Sequence, residues 1–355
     1  MPYTAIDLFC GIGGLTAGLS LAGIDVVAGI DNDPSCQFAY EANSDARFIC
    51  KDINLVENDD LLDLYPEDAF KILAGCAPCQ PFSRYSSKYR KQGEKDEKWG
   101  LIYSFSRLVE GVLPDIVSME NVPNLRNEKV FLDFVDTLKM LDYSVDYKVV
   151  YCPDYGVPQH RKRLVLLASR HGDINMIEPW YTADNYVTVR DAIGDLPEIA
   201  AGETCENDIL HRASALSEMN LARIQQSVQG GTWRDWDENL RVSCHKKNTG
   251  HTYPSVYGRM HWDRPSPTIT TQFYGYGNGR FGHPEQDRAI SIREGAILQS
   301  FPNDYVFLDG DHPATKRELG THIGNAVPVQ LGRAIGVSIV SHIEGIQREG
   351  GAANG

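Results

Sequence analysis

Residues 4–31 read TAIDLFCGIGGLTAGLSLAGIDVVAGID, and the order of patterns within this stretch sets the fold class. The run Thr4–Phe9 is short, apolar and β-prone, LTAGLSLA from Leu15 reads as helix, and Ile24–Ile30 is apolar and β-prone again. Between the first run and the helix stand Gly11, Gly13 and Gly14. Glycines there permit positive φ and close approach of a ligand to the backbone. Strand, tight turn, helix and second strand make a βαβ unit, whose loops and ligands gather at the strand C-termini.

The same rhythm extends outward through a helix opening near Pro34, then RFIC from Arg47, KILAG from Lys71, DIVSME from Asp115, a helical stretch around Phe131 to Leu141, SVDYKVV from Ser144 and RLVLLAS from Arg163. It predicts an α/β fold on a Rossmann-like, mostly parallel sheet. After about Ser169 the rhythm is lost, and a stretch rich in Gly, Trp, His, Asn and Pro follows, including GGTWRDW and YGYGNGRFGH. This reads as a small, loop-rich second domain. Helical patterns return from Ser291, and Val329 to about Ile346 reads as a terminal helix. The expected division is a first domain over 1–187, a second with its hinge over 188–290, and a C-terminal segment, 291–355, returning to the first.

A chain of 355 residues, 42% hydrophobic, suffices for one large core and a second domain. A net charge of -14 argues against a protein that coats nucleic acid non-specifically but leaves room for a local basic cleft. Only Cys76 and Cys79 of the eight scattered cysteines have metal-like or redox-like spacing, so a secreted disulfide framework is not expected. The N-terminus lacks a basic region followed by a long apolar stretch, and no uninterrupted apolar run is long enough to cross a bilayer. A cytoplasmic protein with reduced thiols and no membrane partner is expected.

The turn Asp7-Leu8-Phe9-Cys10-Gly11-Ile12-Gly13-Gly14 implies a nucleotide-like cofactor. Its spacing is not G-x-G-x-x-G, and the chain has no G-K-[ST] phosphate loop, so adenosine without pyrophosphate fits better. Asp31 ends the second strand about twenty residues on, where a carboxylate can accept both ribose hydroxyl protons. Asp52 ends the third, near where an adenine amino group would lie. Ordinary strand-end acids around a structural turn are the competing interpretation.

Gly75-Cys76-Ala77-Pro78-Cys79-Gln80-Pro81-Phe82-Ser83 places a cysteine pair on a loop at the same sheet edge. Taken alone, the pair favours a dithiol that cycles through a disulfide, with buried inert thiols as the competing interpretation. Glu120, in Met119-Glu120-Asn121-Val122-Pro123, ends the next strand, and Gln159-His160-Arg161-Lys162-Arg163 precedes a later one. Each is ordinarily a solvated group, but a thiol, a carboxyl and two guanidiniums on one edge can converge on a substrate.

DLFCGIGG, the P-C-Q loop, E-N-V, Q-x-R-x-R, Arg264-Pro-Ser-Pro-Thr268 and Gly324-Asn-Ala-Val-Pro328, in this order, resemble the motif series of the cytosine-C5 DNA methyltransferase family. The resemblance spans nearly the whole chain and is least close from about 188 to 290. It implies methyl transfer from S-adenosylmethionine to carbon 5 of cytosine in double-stranded DNA, on a base extruded from the helix, with Cys79 as covalent nucleophile. Glu120 matches the carboxyl at the cytosine N3 and amine; Arg161 and Arg163 match arginines near the base. Phe9, Gly11, Gly13, Asp31, Asp52, Ile53, Pro78, Leu101, Asn325 and Val327 match cofactor positions. Asn32 stands where the family often has an aromatic, and Cys76 replaces a common glycine.

The loop Arg84–Lys91 has the charge and aromatics of a DNA clamp, and Arg234, Arg241, Lys246, Lys247 and Arg259 are candidate DNA readers in the target-recognition domain. A resident metal is not expected. A monomer is expected, either paired with a separately acting restriction endonuclease or acting alone. The alternatives are a tRNA cytosine methyltransferase, a dithiol oxidoreductase using Cys76 and Cys79, and a catalytically silent DNA-binding subunit.

Overall fold

The computed structural model describes residues 3–78, 95–247 and 255–353, apart from the side chains of 95–99 and 349–353. In chain order the elements are β1 (Tyr3–Leu8), α1 (Gly14–Leu21), β2 (Asp25–Asp31), α2 (Gln37–Ala42), β3 (Arg47–Cys50), α3 (Asn58–Leu62), β4 (Phe70–Gly75), α4 (Lys95–Val112), β5 (Ile116–Asn121), α5 (Lys129–Met140), β6 (Ser144–Tyr151) and β7 (Gln159–His160). Then follow β8 (Lys162–Ser169), α6 (Val189–Ile193), β9 (Thr204–Cys205), β10 (Asp208–Arg212), α7 (Glu218–Gln226), β11 (Ser266–Pro267), α8 (Ile292–Leu298), α9 (Lys316–Asn325) and α10 (Val329–Ala353). They form two compact units: Met1–Tyr151, Lys162–Trp180 and Val327–Gly355 make the first, Cys152–Arg161 and Tyr181–Ala326 the second.

The first unit is built on a seven-stranded sheet of order β3-β2-β1-β4-β5-β8-β6. Neighbours from β3 through β5 pair in parallel, while β8 is antiparallel to both β5 and β6, so β8 alone runs against the rest. The expected α/β, mostly parallel sheet is present. The strand order reverses between β1 and β4, which opens the crevice where α/β sheets hold their ligands. The glycine turn follows β1, and the cysteine loop follows β4.

Ile6, Leu8, Leu73, Val117, Leu164 and Leu166 are buried in a core shared with Phe105 of α4 and Phe131 and Phe134 of α5. In α5 the buried positions Val130, Phe131, Phe134, Val135 and Leu138 fall on one helical stripe, which fixes the face turned to the sheet. Each such side chain contributes roughly 1.5–3 kcal/mol by leaving water. On the other side α1 lies against α10 at very close range. A Cβ on Gly18 would fall 2.5 Å from the Val329 carbonyl oxygen and 2.6 Å from the Arg333 nitrogen. The stretch Lys316–Arg348 is apolar enough by composition to span a membrane, but in α10 Leu331, Ala334, Ile335, Ile339 and Ile343 are buried within the unit.

The second unit is loop-rich, with β9 and β10 pairing antiparallel and β7 and β11 parallel. It extends beyond 188–290 because Gln159 ties residues 152–161 to it: its Nε2 donates to the Leu298 carbonyl at 2.9 Å. Residues 291–326 also pack here, so the return to the first unit begins at Val327. Ile224, Trp233, Trp236, Leu240, Tyr276 and Ala289 form a core. Loops leave backbone carbonyls without ladder partners, and buried arginines supply donors instead. Arg259, 4% exposed, donates to the carbonyls of Ile224, Ser227, His283 and Gln286 and pairs with Asp287.

Candidate active site

Strand register gathers the chemistry-bearing residues on one sheet edge. Leu8 is level with Ile30 and with Gly75, Gly75 with Met119, and Asp31 with Cys50. The residues following β1 to β4, and the end of β5, therefore emerge together. Because β8 is reversed, its first residues reach the same edge, with Leu164 opposite Asn121.

On the β1 side, Phe9, Gly11 and Gly13 all have positive φ, at 60°, 51° and 84°. Only Phe9 carries a side chain in this strained region. Asp31 holds the turn: Oδ2 accepts the Gly11 N–H at 2.9 Å and Oδ1 the Asp33 N–H at 3.0 Å. Asp52 caps a short 3-10 turn, Ile53–Leu55, accepting from the backbone and side chain of Asn54, both at 2.9 Å. Ile53 is buried and its carbonyl accepts from Arg107 at 3.2 Å. Asn32 is exposed at the end of β2, Leu101 is half-buried on α4 against the core, and Val327 is buried.

Beneath the turn lies a network that no local sequence pattern marks. Thr16 Oγ1 donates to Asp7 Oδ2 at 2.8 Å and lies 3.0 Å from the Tyr40 hydroxyl. Gly29 makes room for Tyr40, whose ring occupies the place of a Cβ there. Asp7 is 1% exposed, and its Oδ1 has no hydrogen-bond partner among the described residues. Burial pushes its carboxyl up to about 7, opposed by the Thr16 hydrogen bond and reinforced by the charge of Asp31.

On the β4 and β5 side, Glu120 is 2% exposed. Arg163 Nε lies 2.8 Å from its Oε1, and the Cys76 thiol donates to Oε2 at 2.8 Å. The ion pair is close but not aligned as a hydrogen bond, which leaves Oε1 with no hydrogen-bond donor among the described residues. Burial pushes the Cys76 thiol well above its ordinary range; the charge of Glu120 and its hydrogen bond add to this, and Arg163 opposes it. Asn121 Nδ2 donates to the Ala77 carbonyl at 3.0 Å and so anchors the cysteine loop to β5. Pro78 is exposed after it. Cys79 and the segment Arg84–Lys91 lie outside the described residues.

The two arginines of the Q-x-R-x-R motif part company. Arg163 faces Glu120, whereas Arg161 is buried in the second unit, donating to Gln159 Oε1 at 3.3 Å and to the carbonyls of Ile269 at 3.0 Å and Gly324 at 3.3 Å. That arrangement braces three segments of the second unit. Asn325 is exposed at the end of α9. Among the candidate readers, Arg234, Lys246 and Lys247 are exposed, but Arg241 donates to the carbonyls of Trp236 and Arg234, and Arg259 is the buried brace described above.

Strands that finish together on a glycine turn, beside a buried carboxylate held by a guanidinium, define a Rossmann-like group-transfer domain. Comparison with known proteins narrows the class. The profile described as C-5 cytosine-specific DNA methylase matches residues 3–341, and the chain belongs to that family. It is a DNA cytosine-5 methyltransferase. It is 55% identical over 349 residues to the Type II methylase M.HgiDII of Herpetosiphon aurantiacus, covering 98% of this chain and 97% of the relative. The Type II methyltransferase M1.HphI of Haemophilus parahaemolyticus is 33% identical over 348 residues, covering 96% and 87%. A solved structure described as a prophage-encoded DNA modification methyltransferase of E. coli shares the fold, with a TM-score of 0.74 at 23% identity, covering 96% of this chain and 99% of that one.

Proposed function

We propose that the enzyme methylates carbon 5 of a cytosine within a specific sequence of double-stranded DNA, with S-adenosylmethionine as donor and a covalent Cys79–cytosine intermediate. The observation that carries the reading is the buried Glu120 carboxylate, with Arg163 and Cys76 on it and one oxygen still open to a donor. The donor set suits a nucleoside ligand. Each Asp31 oxygen accepts one backbone N–H and retains a lone pair for a ribose hydroxyl. Positive φ at Gly11 and Gly13 leaves the loop backbone open to close approach. Asp52 and Ile53 would meet the adenine edge, with Leu101, Val327, Phe9 and Pro78 of the same unit completing the lining.

Carbon 5 lies in an aromatic ring and is a weak nucleophile. Addition of the Cys79 thiolate to carbon 6 moves the ring's electron pair through carbon 4 to N3, where the Glu120 carboxyl, having taken up a proton from solvent before the step, delivers it and leaves carbon 5 as an enamine carbon. When bound, S-adenosylmethionine supplies an electrophilic sulfonium methyl to that carbon. Loss of the carbon 5 proton then expels the thiolate, restores the ring and returns the N3 proton to Glu120. Arg163 holds Glu120 in place; Arg161 acts as a positioning residue through the second unit. The base must leave the helix to be reached, at roughly a few kcal/mol in lost stacking and pairing. The relatives' names as Type II enzymes support pairing with a separately acting restriction endonuclease, in the cytoplasm.

The test uses methyl-labelled S-adenosylmethionine with unmethylated duplex DNA or tRNA, and Cys79→Ser in parallel. Label in DNA as 5-methylcytosine, lost in the variant, is the expected result. Label confined to tRNA would overturn the substrate, and full activity of Cys79→Ser would overturn the mechanism.

A further inference from the structure

The C-x-x-C pair holds a second cysteine that the methyl-transfer chemistry does not use. Cys76 sits where β4 ends, its backbone N–H donating to the Leu8 carbonyl at 3.3 Å. The next residue, Ala77, is held through its carbonyl by Asn121 at 3.0 Å. The backbone is thus anchored on both sides, and the thiol is aimed at Glu120 Oε2 from 2.8 Å. The terminal torsion of a glutamate is broad and roughly two-fold, so an unrestrained carboxylate can exchange its oxygens. Arg163 Nε approaches Oε1 without forming an aligned hydrogen bond.

We propose that Cys76 is a positioning residue for the methyl-transfer reaction: its S–H occupies Glu120 Oε2, and this directs Oε1, the buried oxygen without a hydrogen bond, toward the cytosine N3 and amine. The proposal rests on the role given to Glu120 above. Burial and the neighbouring carboxylate keep the thiol protonated, so Cys76 serves as a donor rather than as a nucleophile. The two cysteines then have separate tasks, and neither needs the other as a disulfide partner. Where the family commonly has glycine, this chain supplies a donor from its own loop.

The test compares Cys76→Ala, Cys76→Ser and Glu120→Gln in the full-length enzyme, measuring kcat and KM for DNA. Losing a hydrogen bond to a charged group costs enough to predict about a tenfold fall in kcat for Cys76→Ala, with little change in KM. Cys76→Ser, which restores a donor, should recover most of the lost kcat. Should Cys76→Ala be too unstable to assay, Cys76→Val fills the space without a donor and carries the same comparison. An Ala variant with wild-type kcat overturns the proposal, as does an equal loss of kcat in Ala and Ser. Full activity of Glu120→Gln would instead remove the role of Glu120, and the proposal with it. Abolition of activity by Cys76→Ser, with intact fold, would point to dithiol chemistry.

Discussion

Replacing Asp7 by Asn should make the first unit relatively more stable as the pH rises from 5 to 8. Asp7 is fully buried beneath the glycine turn, and its carboxyl is raised from 3.8 to about 7. Between those values the folded protein keeps a proton that the unfolded chain has shed, so the group's contribution to stability declines with rising pH and levels off above 7. A shift of roughly 3 units sets a ceiling of about 4 kcal/mol, at 1.36 kcal/mol per unit. An amide has no charge to desolvate and still accepts from Thr16, although its unpartnered N–H costs roughly 1–3 kcal/mol at every pH. The offset between variant and wild type can therefore have either sign, whereas its pH dependence cannot. Urea unfolding of both proteins at pH 5, 6, 7 and 8, without cofactor, should show the difference growing in favour of Asp7→Asn and flattening above 7. A difference that stays constant across this range would refute the reasoning.

In the second unit, Arg288 and Glu294 form a buried pair with two contacts of 2.7 Å. Arg288→Leu strands a buried carboxylate and should cost about 3–5 kcal/mol, with the double variant Arg288→Leu/Glu294→Leu recovering much of it, as thermal unfolding would show. Burial acts to raise the Glu294 carboxyl, but Arg288 prevails and holds it at about 2. The stability this supplies is complete above the ordinary carboxylate range and is lost as pH falls toward 2, so acid titration of wild type against the double variant should separate them below about pH 4. Gly18→Ala, whose Cβ would meet backbone atoms of α10, should lower the unfolding midpoint by an amount corresponding to about 1–3 kcal/mol.

The frame was legible where the pattern is local. The run from Thr4 to Asp31 announces β1, the turn, α1 and β2, because strand and helix periods differ and glycine marks the turn. Strand direction was not legible in the same way: the apolar run of β8 reads like that of a parallel strand, and only pairing with β5 and β6 shows it reversed. The candidate site divides along the same line. Glu120 and Arg163 stand out as charged residues at strand ends, but the Cys76–Glu120 bond joins positions 44 residues apart and leaves no mark in either neighbourhood. Arg161 and Arg259 illustrate the converse limit. A guanidinium reads as a surface or substrate group until the loop carbonyls that it satisfies are known, and those lie as far as 163 residues away for Arg161.

The central claim, covalent addition of Cys79 to cytosine, is tested most directly with duplex DNA carrying 5-fluorocytosine at the methylated position. Fluorine at carbon 5 does not leave as a proton does, so the adduct that normally breaks down should persist. With S-adenosylmethionine present, mass spectrometry should find a stable protein–DNA adduct whose cross-linked peptide contains Cys79, absent from Cys79→Ser. An adduct at Cys76, or none under conditions in which ordinary cytosine is methylated, would contradict the account.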